Sequence, residues 1–151
     1  MTAPVSAMLG FESGGEWWLV DPAEAGEVLP VPALTEVPLT KSWFRGVTNI
    51  RGTLYSVTDF AAFRGGAPTT LDQRARLLLV GASPRRNAND NIALLMASTL
   101  GFRHIATFEA LLDWAEHPWH GARYRDETGT HWTTLKLSPL LEAATFLDIA
   151  A

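Results

Sequence analysis

Short apolar runs alternate along the chain with clusters of glycine, proline, aspartate and asparagine. Runs of this length are typical of β-strands, and the turn residues between them mark where each strand ends. The pattern predicts roughly eight to ten strands at spacings of about 8–12 residues, which favours an all-β sandwich or barrel. The predicted strands are residues 8–11, 17–20, 44–50, 53–59, 76–80, 92–96, 100–105, 121–125 and 131–137.

The segments between these runs predict three hairpins and two irregular stretches. Residues 12–16 and 126–130 have the glycine and polar content of hairpin tips. The third turn is Arg51-Gly52, where Gly52 supplies the positive φ that a two-residue turn needs. Three prolines make residues 28–39 an extended connector, because proline cannot donate a hydrogen bond within a central strand. Residues 81–91 are predicted to form an exposed loop.

The predicted helices are few and short. Asp21 starts a single turn that Gly26 ends, and Asp59 caps a turn at residues 60–63. Residues 108–115 have apolar positions at helical spacing and predict an amphipathic helix. Ser138 and Pro139 open a last helix at residues 140–144, and residues 146–149 close the chain.

The composition places the chain among folded proteins of one domain, residues 1–151. Hydrophobic residues make up 47% of its 151 residues and charged residues only 19%. With no cysteine, the sequence excludes disulfide scaffolds, thiolate catalysis and iron–sulfur clusters. It holds no apolar stretch long enough for a membrane helix and no basic leader, so we expect a cytoplasmic protein with no direct membrane insertion.

The charge is unevenly distributed along the chain. Residues 1–40 hold six acids and no bases, whereas residues 41–103 hold nine bases and three acids. This is either ordinary surface variation or a basic middle lobe that meets an acidic partner. Nucleic acid is a poor candidate for that partner, because the pI is about 5.5 and no dense run of Lys and Arg exists.

The sequence contains few groups that could carry catalysis. It has no nucleophile elbow and no phosphate-binding glycine loop. His117 and His120 flank Pro118, which disfavours a regular helical metal site, and Asp59 is interpreted as a helix cap. We therefore expect no enzyme activity, no cofactor and no metal. Hydrolysis through His117 or His120 is the weakest of the hypotheses.

Six tryptophans are many for this length. Adjacent Trp17 and Trp18 must face opposite sides of a strand, so both are buried only if both faces are covered. One of the two is a candidate for a groove or an interface, where aromatic anchors are favoured.

Residues 43–52, with the sequence WFRGVTNIRG, and the apolar strand that ends at Asp59 resemble the signature of CheW-like domains. Glu27 and Val28 match an element upstream of this motif, and residues 76–81, 92–96 and 146–149 follow in the family's order. Asp59 to Phe63 and Thr107-Phe108 look closer to the pilus-linked, PilI-type twitching-motility members than to flagellar ones. The resemblance covers nearly the whole chain.

The resemblance implies two five-stranded β-barrels and a non-catalytic adaptor. Its expected partners are a CheA-type histidine kinase and the cytoplasmic tip of a methyl-accepting chemoreceptor. It implies that the receptor and kinase interface includes Arg51, Gly46, Asn49, Gly52, Glu27 and Val28. The kinase face is expected on the lobe away from the termini, and the chain is expected to be recruited to membrane receptor arrays.

Three of these residues also have a structural interpretation, and the chain departs from the family at two positions. Arg51 could bond carbonyls of its own barrel, Gly46 could allow close packing, and Glu27 could pair with an arginine of the middle lobe. Ser56 stands where relatives usually have proline, and Ala97 where they usually have aspartate. The alternative function is a β-barrel that binds single-stranded nucleic acid through basic residues and exposed aromatics.

Overall fold

The computed structural model describes residues 7–80, 91–112 and 116–151. Eleven β-strands and three short α-helices lie within these ranges. The strands are β1 (Ala7–Ser13), β2 (Glu16–Val20), β3 (Ala25–Pro30), β4 (Phe44–Ile50), β5 (Thr53–Asp59), β6 (Arg76–Val80), β7 (Ile92–Met96), β8 (Ser98–His104), β9 (Glu109–Leu111), β10 (His120–Arg125) and β11 (His131–Leu135). The helices are α1 (Phe60–Phe63), α2 (Leu137–Glu142) and α3 (Ala144–Leu147).

The strands form two sheets, which divide the molecule into two lobes. The first lobe has the strand order β8-β1-β2-β11-β10-β9 and is built from both ends of the chain. The second lobe has the order β3-β6-β7-β5-β4 and is built from the middle. The prediction of an all-β, two-lobed molecule with a few short helices is confirmed. The prediction of two five-stranded closed barrels is wrong in detail, because the first sheet has six strands in the described residues and neither sheet closes by strand pairing alone.

The connector that follows β3 covers the β4 edge of the second lobe. Thr35 and Val47 exchange two backbone hydrogen bonds of 2.8 and 2.9 Å, and the Thr48 hydroxyl donates to the Ala33 carbonyl at 2.9 Å. An open edge of this kind would otherwise expose unpaired backbone groups. The prolines were predicted to keep the connector out of a central strand, and the connector instead covers the β4 edge of the second sheet.

Strand β7 is buried on both faces because it lies between two apolar cores. Its residues Ile92, Leu94 and Met96 face the seam between the lobes, whereas Ala93 and Leu95 face the interior of the second lobe. Side chains alternate between the faces of a strand, so a continuous apolar run serves both cores at once. The seam core also includes Phe11, Trp18, Phe60, Leu135, Leu140 and Phe146.

Asp59 is buried where β5 ends and α1 begins. One carboxylate oxygen accepts hydrogen bonds from the Ala62 N–H (3.3 Å) and the Thr69 hydroxyl (2.7 Å). The other accepts from the Thr69 N–H (2.7 Å) and from Arg45 Nη1 (3.0 Å). The predicted cap is thus confirmed, and the same carboxylate also holds Arg45 of β4 and the segment that leads to β6.

Three predicted helical features differ from the structure. Residues 109–111 form β9 beside β10, because pairing at a sheet edge outweighs the weak helical spacing of so short a segment. The Asp21 segment is a hydrogen-bonded turn and not a helix. Helix α2 begins at Leu137 after Lys136, so Ser138 lies inside its first turn and does not cap it. The predicted loop at 81–91 falls outside the described residues except for Asn91, as does the end of the 108–115 segment at 113–115.

Ser56 occupies a position at which proline would lose a hydrogen bond. Its backbone N–H donates to the Asn91 carbonyl at 2.9 Å, in the parallel ladder between β5 and β7. Proline has no N–H, so the departure from the family at this position gives the chain a bond that its relatives' proline cannot make.

Candidate partner-binding site

The β4–β5 hairpin ends in the two-residue turn predicted from Arg51-Gly52. Both residues have positive φ, +50° for Arg51 and +84° for Gly52, as a type I′ turn requires. The Asn49 Oδ1 accepts a hydrogen bond from the Gly52 N–H at 2.9 Å and closes the turn. Arginine rarely adopts a positive φ, because its Cβ approaches the following carbonyl. The turn therefore holds the base of the Arg51 side chain in a defined position.

Arg51 forms a bidentate ion pair with Glu27 of β3. Its Nη1 donates to Glu27 Oε1 at 3.2 Å and its Nη2 to Oε2 at 2.5 Å. The Arg51 hydrogen bond lowers the pKa of Glu27, and the same bond raises the pKa of Arg51. The interpretation in which Glu27 pairs with an arginine of the middle lobe is confirmed, and the one in which Arg51 bonds carbonyls of its own barrel has no support among the described contacts.

This pair lies on the surface beside an exposed leucine. The Arg51 side chain keeps 66% of its surface exposed and the Glu27 side chain 47%. Leu54, which pairs with Asn49 across the hairpin, is 62% exposed. Val28 lies next to Glu27 and packs partly against the seam core. Fixed charges beside an exposed apolar side chain form a surface suited to binding a protein.

Gly46 lies further along β4, where it is buried beside the connector. Its φ is +111°, and a Cβ at this position would come within 2.0 Å of the Thr35 carbonyl oxygen. The glycine thus lets the connector approach β4 closely, which is the packing role that the sequence left open. The structure brings Arg51, Glu27, Asn49 and Gly52 together at the surface, with Val28 at its edge, and sets Gly46 apart from them.

Leu54 and Thr35 are site residues that sequence reasoning missed. In the sequence Leu54 begins an apolar run, and nothing in that run tells its exposed end from its buried end. Thr35 sits in a polar, proline-rich stretch whose contact with β4 depends on tertiary pairing. The alternation of side chains from the turn could have placed Leu54 on the outward face beside Asn49.

The remaining polar clusters do not assemble a catalytic centre. In the described part of the chain, no group of three or more His, Asp or Glu side chains could hold a metal ion. The His117 ring stacks on the Trp119 ring with their centres 4.7 Å apart, and it contacts the His120 ring edge-to-face with their centres 5.1 Å apart. Burial lowers the pKa of His120, helped by the charges of His117 and nearby arginines.

Four of the middle-lobe arginines that the structure describes are neutralised by carboxylates. The pairs are Arg45 with Asp59, Arg51 with Glu27, Arg64 with Glu16 and Arg74 with Asp72. The nucleic-acid alternative predicted from charge and exposed aromatics is therefore not favoured. No helix in the described residues has the length and apolar character needed to cross a membrane.

The chain is thus a two-lobed β protein with an exposed ion pair at the tip of one hairpin. The model of the CheW-like domain matches residues 7–143. The chain is 30% identical over 148 residues to Protein PilI of Pseudomonas aeruginosa, a match that covers 94% of this chain and 79% of that protein. The chain belongs to the CheW-like domain family.

The comparison with solved structures agrees with this fold. The crystal structure of the scaffolding protein TtCheW from Thermoanaerobacter tengcongensis superposes with a TM-score of 0.73, at 16% sequence identity. The match covers 93% of this chain and 94% of that one. Members of the CheW-like family are adaptors without enzyme activity, so membership confirms the prediction of a non-catalytic, chemotaxis-type adaptor.

Proposed function

We propose that this chain couples a methyl-accepting chemoreceptor to a CheA-type histidine kinase in the system that controls twitching by type IV pili. The support is family membership across residues 7–143 together with the similarity to PilI over 94% of the chain. The proposal places the protein in the cytoplasm, recruited to receptor arrays at the membrane. The proposed function requires one surface that binds the receptor and another that binds the kinase, and it requires no catalytic step.

The receptor face is proposed to be the surface of Arg51, Glu27, Asn49, Gly52 and Val28. Gly46 is proposed to contribute by packing β4 against the connector. The observation that carries this proposal is the Arg51–Glu27 pair, which is fixed at both ends and still exposed. A guanidinium whose fork is held by one carboxylate keeps other N–H donors for a second acceptor. Leu54 adds the apolar contact that a charged pair alone lacks.

The kinase face is proposed to lie on the second lobe, which the chain's middle builds. Two faces on a rigid body can transmit a signal only if their relative position is fixed. Both proposed faces lie on the second lobe, so its five-stranded sheet and its inner core, which includes Val57, Leu77 and Leu95, supply that rigidity.

The test is a reconstituted array of receptor, kinase and this chain, read as receptor-dependent kinase activity. Arg51→Glu reverses the charge at the hairpin tip and places two carboxylates together. We expect this variant to fold, by circular dichroism, and to lose receptor control of the kinase.

The matched control is Arg125→Glu. Arg125 also forms an exposed ion pair, with Glu109, but on the first lobe and away from the hairpin. The Arg125→Glu variant should retain receptor control of the kinase. Full coupling by Arg51→Glu would refute the proposed receptor face, and failure of the unmodified chain to associate with any CheA-type kinase would refute the proposed function.

A further inference from the structure

A cleft of about 630 Å³ opens between the first lobe and the end of α1. Its walls include Trp17, Trp18, Thr133, His120 and Arg64. A volume in this range is typical of small-ligand sites, and the walls are mostly polar or charged, with two tryptophans among them. The cleft lies apart from the Arg51 surface, and nothing in the adaptor function uses it.

Arg64 is a largely buried charged group in the wall of this cleft. Only 15% of its side chain is exposed. The guanidinium carbon lies 4.6 Å from the Trp18 ring centre and 5.0 Å from that of Phe60. Burial lowers the pKa of Arg64, and the nearby charge of Glu16 only partly offsets this effect. The two rings fix the orientation of the guanidinium at the cleft wall.

The hydrogen bonds of Arg64 leave part of its fork unused. Nη2 donates to the Ser13 carbonyl at 3.0 Å, and Nη1 reaches Glu16 at 3.4 Å, a long contact to a side chain that is 60% exposed. Within the described residues, Nε has no hydrogen-bond partner. Buried ionic groups are normally paired, and leaving a cation short of acceptors is unfavourable.

The β1–β2 hairpin is shaped to admit this arginine. Gly14 has a φ of +62°, and a Cβ there would lie 2.9 Å from Arg64 Nη2. The hairpin tip therefore brings the Ser13 carbonyl against the guanidinium without blocking the side that faces the cleft. The Ser13 hydroxyl and Trp18 Nε1 are also buried without partners among the described residues.

We propose that the cleft binds a carboxylate, which displaces Glu16 and pairs with Arg64 beside Trp17 and Thr133. Glu16 indicates the kind of group that fits, because it already contacts Arg64 in this position. An incoming carboxylate within the cleft would be less exposed than Glu16 and would form a shorter bond. The carboxylate can come from a small dicarboxylic acid or from an acidic side chain of a peptide.

The test is an NMR titration that follows the indole N–H signals of Trp17 and Trp18 at constant ionic strength. The probes are glutarate, its neutral analogue glutaramide, and a blocked Gly-Glu-Gly peptide with its Gly-Gln-Gly counterpart. We expect saturable shifts with glutarate, with the Glu peptide, or with both, and none with the neutral probes. The responding probe identifies the source of the carboxylate.

Two variants separate this proposal from a purely structural role for Arg64. Glu16→Gln removes the competing internal carboxylate and should tighten binding about threefold, since the competent state becomes fully populated. Arg64→Lys keeps a cation but loses the fork, and should weaken binding about tenfold. Glu109→Gln, which removes a carboxylate from the exposed Arg125 pair, should leave the affinity unchanged.

The proposal is overturned if neither carboxylate probe saturates with Glu16→Gln, or if Glu16→Gln binds no more tightly than the unmodified chain. If Arg64 has only a structural role, joining the two lobes, Glu16→Gln should bind no more tightly than the unmodified chain, and Arg64→Lys should lose stability. If Arg64→Lys does not fold, the comparison of Glu16→Gln with Glu109→Gln still decides the matter.

Discussion

Arg51 of the β4–β5 turn pairs with Glu27 of β3, so the ion pair links strands from the two ends of the second sheet's order. The sheet curls enough to bring these ends together, and the Thr35–Val47 bridge covers the remaining edge. The ion pair thus holds the two charges at the place where β3 and β4 approach each other.

Charge exchange across this pair separates its structural role from its role in binding. We expect Glu27→Arg, Arg51→Glu and the double exchange all to keep thermal midpoints close to that of the unmodified chain, because exposed ion pairs contribute little to stability. All three should lose receptor binding in a pull-down, since even the double exchange presents the charges in reversed order. Retained binding by the double exchange would mean that only the pairing matters.

Gly46→Ala should be severely destabilising. The new Cβ would overlap the Thr35 carbonyl, and alanine disfavours a φ of +111°. We expect a loss of about 3–5 kcal/mol in the free energy of unfolding, measured by urea denaturation.

Gly129→Ala is the matched control for this change. Gly129 has a φ of +87°, and no atom of the described residues lies within 4 Å of the position that an added Cβ would occupy. Only the backbone effect of about 1–2 kcal/mol therefore applies. Equal losses in the two variants would show that the contact with Thr35 is not what requires glycine at position 46.

Much of the fold could be predicted because local signals and tertiary structure agree. The turn at Arg51-Gly52, the cap at Asp59 and the apolar runs of β6 and β7 each specify their conformation within a few residues. The 108–115 segment fails this condition. The segment is too short for its helical spacing to outweigh the pairing of residues 109–111 with β10, and the local sequence carries no sign of that pairing.

The candidate site could be predicted only in part, for a similar reason. The residues at the hairpin tip were found from the motif, whereas the partner of Arg51 depends on how the sheet curls. The adjacent tryptophans show the same limit: strand alternation places them on opposite faces, but only the packing of the lobes decides that Trp18 is the buried one.

Asp59→Ala should destabilise the protein by about 3–5 kcal/mol, because it removes a buried carboxylate and leaves Arg45 without its ionic partner. The loss also frees the Thr69 donors and the N-terminus of α1. Urea denaturation measures the effect. Asp72→Ala, which removes an exposed carboxylate bonded to Arg74 and Ala75, should cost much less, and a comparable loss would contradict the role given to Asp59.

Stability should fall at acidic pH through Asp126. Hydrogen bonds from Trp132 Nε1, the Thr128 hydroxyl and backbone N–H groups lower the pKa of Asp126 to about 2. The unfolded chain binds a proton here at higher pH than the folded chain does. The stabilisation is therefore complete above about pH 4 and is lost as the pH falls through about 2.

Asp126→Asn should reduce this acid sensitivity and lower stability at neutral pH. Denaturation midpoints measured in urea from pH 7 to about pH 2 would reveal a flatter dependence between pH 4 and 2 than in the unmodified chain. Glu142→Gln, at an exposed position on α2, should leave the dependence unchanged. An Asp126→Asn curve parallel to that of the unmodified chain would show that this carboxyl does not govern the acid limb.

Trp17→Ala and Trp18→Ala should differ sharply although the residues are adjacent. Trp18 is 1% exposed and packs edge-to-face on Phe60 at 4.9 Å across the seam, so its removal should cost about 3–5 kcal/mol. Trp17 is 37% exposed, and its removal should change stability by no more than about 1 kcal/mol. Equal stability losses in the two variants would contradict the assignment of the seam as the main apolar core.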